Sequence, residues 1–180
     1  TILPIEFLFK RVPLGVIGCF IGGLVLGPLY TLLPDYLREN TKTDSEVGLI
    51  MMALILGGTF LQYPIGRLSD RYDRRLVLLG SAIASVVTFI LFIPNFYNTL
   101  WLVSLAFLMG GTTFTIYPLS TSHTIDHIKP SNMISAISTM LLGYGCGSAI
   151  GPLISPIFTK LFGTNGLCYY LLVVGLVLCA

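Results

Sequence analysis

The sequence predicts an all-α membrane protein of six transmembrane helices, and three observations predict it. Of 180 residues, 54% are hydrophobic and only 10% are charged, against about 25% charged in an average soluble domain. Every Asp, Glu, Lys and Arg falls into one of a few short clusters, which leaves long uncharged stretches between them. A helix rising about 1.5 Å per residue needs roughly 20 apolar residues to cross about 30 Å of hydrocarbon, and the stretches suit that length. The alternating segments of a transmembrane barrel are absent, so helices remain as the way to satisfy backbone polar groups in lipid. The apolar excess, with a mean hydropathy of +0.87, excludes a soluble globular domain and a disordered chain. A net charge of +2 excludes an electrostatically driven nucleic-acid binder.

In chain order, Thr1–Lys10 is apolar but short, and Pro4 and Pro13 break it. Residues 1–13 therefore read as the end of an amphipathic cytoplasmic linker lying at the membrane interface. The first span, Leu14–Tyr36, is too long and too glycine-rich for a signal peptide, and no small-residue cleavage site follows it. Thr43-Asp-Ser-Glu46 has capping-box spacing and opens the second span, Val47–Leu68, at the outer surface. The third, Leu76–Ile93, follows a dense basic loop and carries Ser81, Ser85 and Thr88 as its polar side chains. Tyr97 and Trp101 place an aromatic belt at the start of the fourth, Leu100–Ser120. Met133–Phe158 and Gly166–Ala180 complete the set. Because the chain starts without Met and the sixth span has no flanking loop, it reads as a piece of a longer polypeptide, with the last helix cut short. Cys19, Cys146, Cys168 and Cys179 all lie in spans, where they read as small packing residues rather than a disulfide framework.

Charge sets the orientation. With the start of the segment inside, Lys10, Arg11, Arg67, Arg71, Arg74, Arg75 and Lys129 are cytoplasmic, and Arg38, Lys42 and Lys160 are outside. Seven against three satisfies the positive-inside rule, and the reverse topology violates it. The expected location is a plasma (cell inner) membrane, crossed several times.

Inside the spans, glycines at 18 and 22, at 23 and 27, and at 143, 147 and 151 recur every four residues. That spacing lets helix backbones pack closely where lipid offers no hydrophobic driving force. Pro28, Pro34, Pro118, Pro152 and Pro156 interrupt the helical hydrogen-bond ladder and mark bends or hinges. His123 and His127 stand four residues apart with Asp126 beside them, a spacing that suits zinc. No further histidine supplies a third ligand, so neither a metal site nor a hydrolase is expected, and no cofactor is implied. No ionisable acid or base lies at membrane depth, although such groups mark proton relays. A coupling proton is accordingly expected to titrate elsewhere in the protein.

Between the second and third spans runs Gly66-Arg-Leu68-Ser-Asp70-Arg71-Tyr-Asp-Arg74-Arg75, preceded by Gln62-Tyr-Pro64-Ile. It resembles motif A of the major facilitator superfamily at Gly66, Leu68, Asp70, Arg71, Arg74 and Arg75. Ser69 stands for a small alanine. Asp73 stands for a glycine that permits positive φ, so a differently shaped loop is expected there. Leu14-Gly15, Gly22, Val25-Leu26-Gly27, Leu29-Tyr30, Pro34, Tyr36-Leu37, Phe114-Thr-Ile-Tyr117-Pro118 and Gly147-Ser-Ala-Ile-Gly151-Pro152 extend the resemblance to the YcaD-like branch of that superfamily.

The resemblance implies that residues 14–180 are helices 7 to 12 of a twelve-helix transporter, and that an N-terminal six-helix half is the missing partner. It implies that the motif is a conformational latch: Gly66 allows close approach, Asp70 faces the positive end of a helix of the other half, and the arginines add paired charge. It places the first, second, fourth and fifth helices around a central cavity. There Tyr30, Thr59, Gln62, Thr113, Tyr117, Tyr144 and Ser148 are the candidate lining residues, with Thr112 and Thr115 beside them. Gly147, Gly151 and Pro152 resemble a glycine-proline packing and hinge motif, and His123, Asp126 and His127 become candidates for a cytoplasmic gate. The function implied is secondary active transport of a small solute by alternating access. The uncharged wall favours a neutral or amphiphilic substrate, with a proton as candidate coupling ion. A membrane sensor or scaffold retaining the fold is the alternative.

Overall fold

The computed structural model describes residues 12–40, 42–93 and 98–179. The linker at Thr1–Arg11, the belt residue Tyr97 and the last residue Ala180 lie outside them. The described residues form eight α-helices: α1 Pro13–Thr31, α2 Leu33–Glu39, α3 Asp44–Arg71, α4 Arg74–Phe92, α5 Thr99–Phe114, α6 Ile116–Ile125, α7 Met133–Phe162 and α8 Gly166–Cys179. Short 3₁₀ turns at Pro130–Asn132 and Gly163–Asn165 lead into α7 and α8.

Five segments are long and apolar enough to cross a membrane: Pro13–Thr31, Asp44–Arg71, Arg74–Phe92, Thr99–Ile125 and Pro130–Phe162. The sixth, α8, is equally apolar but covers 14 residues. The expected spans are therefore all present, though their ends move. The second continues through the charged motif to Arg71 and the fifth continues to Phe162. A helix need not stop at the edge of the hydrocarbon, because its charged last turn is solvated at the interface.

Two spans are divided, each just ahead of a proline. Pro34 sits in the first turn of α2, and the chain breaks at Leu32. Pro118 sits in the first turn of α6, and the chain breaks at Thr115. A first-turn proline loses no intrahelical bond, since those N–H groups have no partner there in any case. Pro28, Pro64, Pro152 and Pro156 instead stay inside continuous helices. At Pro28 the lost bond is replaced. The carbonyl of Leu24, which residue 28 would otherwise satisfy, accepts from the Tyr170 hydroxyl of α8 at 3.1 Å.

Local chemistry sets the helix starts. Thr43 and Glu46 form the expected capping box, each side chain bonded to the other's backbone N–H. Glu46 also accepts from the hydroxyl of Thr99, and Lys42 Nζ lies 3.1 Å from the same oxygen, which ties the starts of α3 and α5 together. Asn98 caps α5 by accepting from the N–H groups of Leu100 and Trp101. Asp73 has φ −57°, so the chain needs no left-handed residue at this position, and its carboxylate caps α4 by accepting from Arg75 N at 2.9 Å.

Glycine governs the packing. The tightest helix pairs are α1 with α7 and α3 with α5, followed by α4 with α8. A Cβ at Gly23 would fall 2.2 Å from the Tyr144 carbonyl oxygen, and one at Gly147 would fall 2.2 Å from that of Phe20. On the other pair, a Cβ at Gly57 would stand 1.8 Å from the Phe107 carbonyl and one at Gly110 1.9 Å from that of Leu54. These obstacles are backbone and cannot swing away. The 23/27 and 147/151 repeats are thus used for packing, as is Gly18 against Ser120, whereas Gly143 faces open space. The Gly57–Gly110 seam carries no four-residue repeat and escaped the sequence pattern.

The pairing has an internal symmetry. Numbering the spans one to six, the close pairs are one with five, two with four, and three with six. Exchanging one with four, two with five and three with six maps this set onto itself, the signature of two three-helix repeats related by a pseudo-twofold axis. The first span touches the fourth, fifth and sixth. α3 and α7 each pack along one side, and Met52, Phe60, Tyr63, Leu141, Leu153 and Ile157 remain exposed on them.

Candidate functional site

The charged residues of the motif gather where α3 ends, α4 begins and α6 ends. Asp70 lies in the last turn of α3, and the two-residue link Tyr72-Asp73 turns the chain so that Arg74 opens α4. Arg74 then reaches three partners: its Nη2 is 3.3 Å from Asp70 Oδ1, its Nη1 donates to Ser69 Oγ at 3.4 Å, and its Nε is 2.5 Å from Asp126 Oδ2. The planar guanidinium suits this fork, since its donors diverge in fixed directions. One arginine thereby joins three helices. Ser69, Asp70 and Arg74, together with Gln62, Gly66, Thr115, Pro118, Leu119 and Ser122, line a cavity of about 220 Å³.

The sequence treats the motif and the His123–Asp126–His127 group as separate. The structure brings them together through Asp126, which pairs with Arg74 rather than with its neighbouring imidazoles. His123 is buried, and the two rings lie 4.7 Å apart. His127 Nδ1–H donates to the His123 carbonyl at 2.8 Å, an acceptor that fixes the tautomer. Arg71 and Leu68 face outward, and the Arg67 guanidinium lies 5.1 Å from the centre of the Tyr63 ring. Among the described residues, nothing beyond its own helix turn comes within 4 Å of where a Cβ on Gly66 would stand. Its bare surface is open.

Farther along the bundle, two aromatic pairs bridge helices. Tyr30 of α1 meets Phe114 of α5 edge-on at 5.6 Å, and Tyr117 of α6 meets Tyr144 of α7 at 4.9 Å. Phe114 of the first pair and Tyr144 of the second pack against the same buried cluster, so the pairs form one wall. Phe114 lies outside the expected lining residues, because nothing in an apolar run distinguishes a half-buried ring from one that faces lipid. Thr59 is exposed, but its hydroxyl donates to its own helix at Ile55. Ser148 is half-buried and does the same to Gly145. Gln62 belongs to the charged cavity and not to the aromatic wall. Thr113 is fully buried, donating to the Met109 carbonyl at 2.6 Å, and Thr115 is buried beside it. Gly147 and Gly151 lie against α1, with Pro152 following.

A six-span bundle of glycine-packed helix pairs, with an arginine-centred charge cluster at one end and an aromatic wall along its length, defines a multi-pass membrane protein built like half of a transporter. The chain belongs to the Major Facilitator Superfamily, whose family model matches residues 9–180. It is similar to an uncharacterized MFS-type transporter of Enterobacter sp. (strain 638), with 31% identity over 87% of this chain and 40% of the relative. A Yersinia enterocolitica protein described in the same words is 31% identical over 92% of this chain and 42% of its own length. The MFS-type transporter YcaD of Shigella flexneri is 31% identical over 87% and 40%. The chain thus spans about two-fifths of the curated relatives it matches, as a six-helix half of a twelve-helix fold would.

Proposed function

We propose that residues 14–180 are helices 7 to 12 of a secondary active transporter that carries a small solute across the bacterial inner membrane by alternating access, with residues 1–13 ending the central cytoplasmic linker. The Arg74 cluster beside the open face of Gly66 carries this reading. It is a preorganised charged surface with no closing partner among the described residues, as a latch between two halves requires. Asp70 is two-thirds exposed even while paired, so its carboxylate remains free to meet the positive N-terminus of a helix from the other half.

The aromatic wall supports a neutral or amphiphilic solute. Rings offer apolar contact, and their hydroxyls offer a few orienting hydrogen bonds. Without an ionised residue along the wall, a proton used for coupling would be carried by the other half. The test is flux in proteoliposomes containing the full-length protein, using a solute found by screening neutral and amphiphilic compounds. Asp70→Asn is expected to insert normally and lose at least about 90% of flux, the scale on which a contact worth about 1.4 kcal/mol acts. Wild-type flux in that variant overturns the latch, and a strict requirement for a polyanion overturns the solute class.

A further inference from the structure

A second cavity, of about 420 Å³, opens at the same basic end of the bundle and shares no residue with the Arg74 cluster. Arg75 of α4, with His123 and His127 at the end of α6, forms its polar side. Leu14 of α1, Leu78 of α4 and Leu178 of α8 form its apolar side, continuous with a buried cluster that includes Val77 and Leu119.

Three observations narrow what fits there. Arg75 is exposed and, unlike Arg74, has no ion-pair partner among the described residues. Its backbone N–H is occupied by Asp73, so the guanidinium alone faces the cavity. His127 gives its Nδ1–H to the His123 carbonyl, which leaves Nε2 as its other ring nitrogen. Finally, the cations stand at the level where α4 begins, and the leucines run toward its apolar interior. A soluble anion would use the cations and gain nothing from the leucines.

We propose that this cavity binds an anionic phospholipid, with the phosphodiester at Arg75 and the two imidazoles and the acyl chains over Leu14, Leu78 and Leu178. Basic pockets between transmembrane helices at headgroup depth are suited to this chemistry. The inference rests on reading the bundle as membrane-spanning and is independent of what is transported. Asp73, beside the cavity, is held as a helix cap and Asp126 by Arg74. The guanidinium of Arg75 is therefore the charge left for a phosphodiester to meet there.

The full-length protein, purified in a neutral detergent, is titrated with phosphatidylglycerol, with phosphatidylcholine of the same acyl chains, and with inorganic phosphate. Thermal stability and native mass spectrometry provide the readouts. Phosphatidylglycerol should stabilise and remain bound where phosphatidylcholine does not. Arg75→Ala should weaken it about fivefold. The Arg75 side chain is exposed, so the change does not threaten folding, and Lys160→Ala at the far end is the control. Equal stabilisation by the two lipids overturns the proposal, as does undiminished binding in Arg75→Ala. Inorganic phosphate matching phosphatidylglycerol would assign a soluble anion instead of a lipid.

Discussion

At the scale of single residues, Arg74 does what its neighbours in the motif do not. Arg67, Arg71 and Arg75 are exposed, whereas Arg74 is three-quarters covered and fixed between two carboxylates. Because both carboxylates keep substantial solvent contact, the pairs contribute little to stability, about 1 kcal/mol or less. Their consequence is geometric: they hold Asp70 and the end of α6 in one arrangement. Arg74→Ala and Asp126→Ala should each reduce flux, and the double variant should lose no more than the worse single one. Additive losses in proteoliposome flux would show that the two act separately. Thr113 gives the opposite case. Its hydroxyl is buried and bonded within its own helix, so Thr113→Val should leave flux unchanged, while Tyr144→Ala, which removes a ring from the half-buried wall, should lower it at least severalfold.

At the scale of the helix, two devices set how close elements come. The first is the absence of a side chain at Gly57 and Gly110, where the facing atoms are carbonyl oxygens of the neighbouring helix. Gly57→Val forces α3 and α5 apart, and overpacking of this kind costs about 1–3 kcal/mol or more. A lowered midpoint of thermal aggregation in detergent is the expected readout. Gly143→Ala, facing open space, should be neutral or slightly stabilising, since alanine is the better helix former by about 1 kcal/mol. The second device is the repair at Pro28. Tyr170→Phe leaves the Leu24 carbonyl without a donor and should cost about 1 kcal/mol. In a Pro28→Ala background the restored N–H satisfies that carbonyl, so the same change should cost almost nothing. An unaltered penalty in the double variant would assign the tyrosine a packing role only.

At the scale of the whole molecule, the paired spans read as a body that moves as one. Spans three and six sit together at α4 and α8, where a Cβ at Gly175 would stand 2.8 Å from Cγ2 of Val86. Cysteines at these two positions fall near the Cβ separation a disulfide needs, about 3.5–4.5 Å. The Val86→Cys, Gly175→Cys protein should oxidise readily and keep flux within about twofold, as rigid-body rocking of one half against another requires. Flux lost on oxidation and recovered with reductant would place the transport motion inside this half.

Much of this architecture was legible in the residues. Charge clustering gave the number of spans, Thr43-Asp-Ser-Glu46 gave the cap of α3, and the motif from Gly66 to Arg75 gave the family, because each of these signals is local and each is imposed by water or lipid on a short stretch of chain. Position along the sequence could not reveal that Arg74 meets Asp126, that Gly57 meets Phe107, or that Tyr170 answers Pro28. Those pairs join residues far apart in the chain, and they form only when particular helix faces are brought into contact. The same reason explains Thr113 and Phe114. A hydroxyl and a ring in adjacent positions of one apolar helix are equivalent until packing decides which one the bundle buries. The chain alone thus determined what this protein is made to live in and which family it joins, and the tertiary contacts decided which of its polar and aromatic side chains are free to work there.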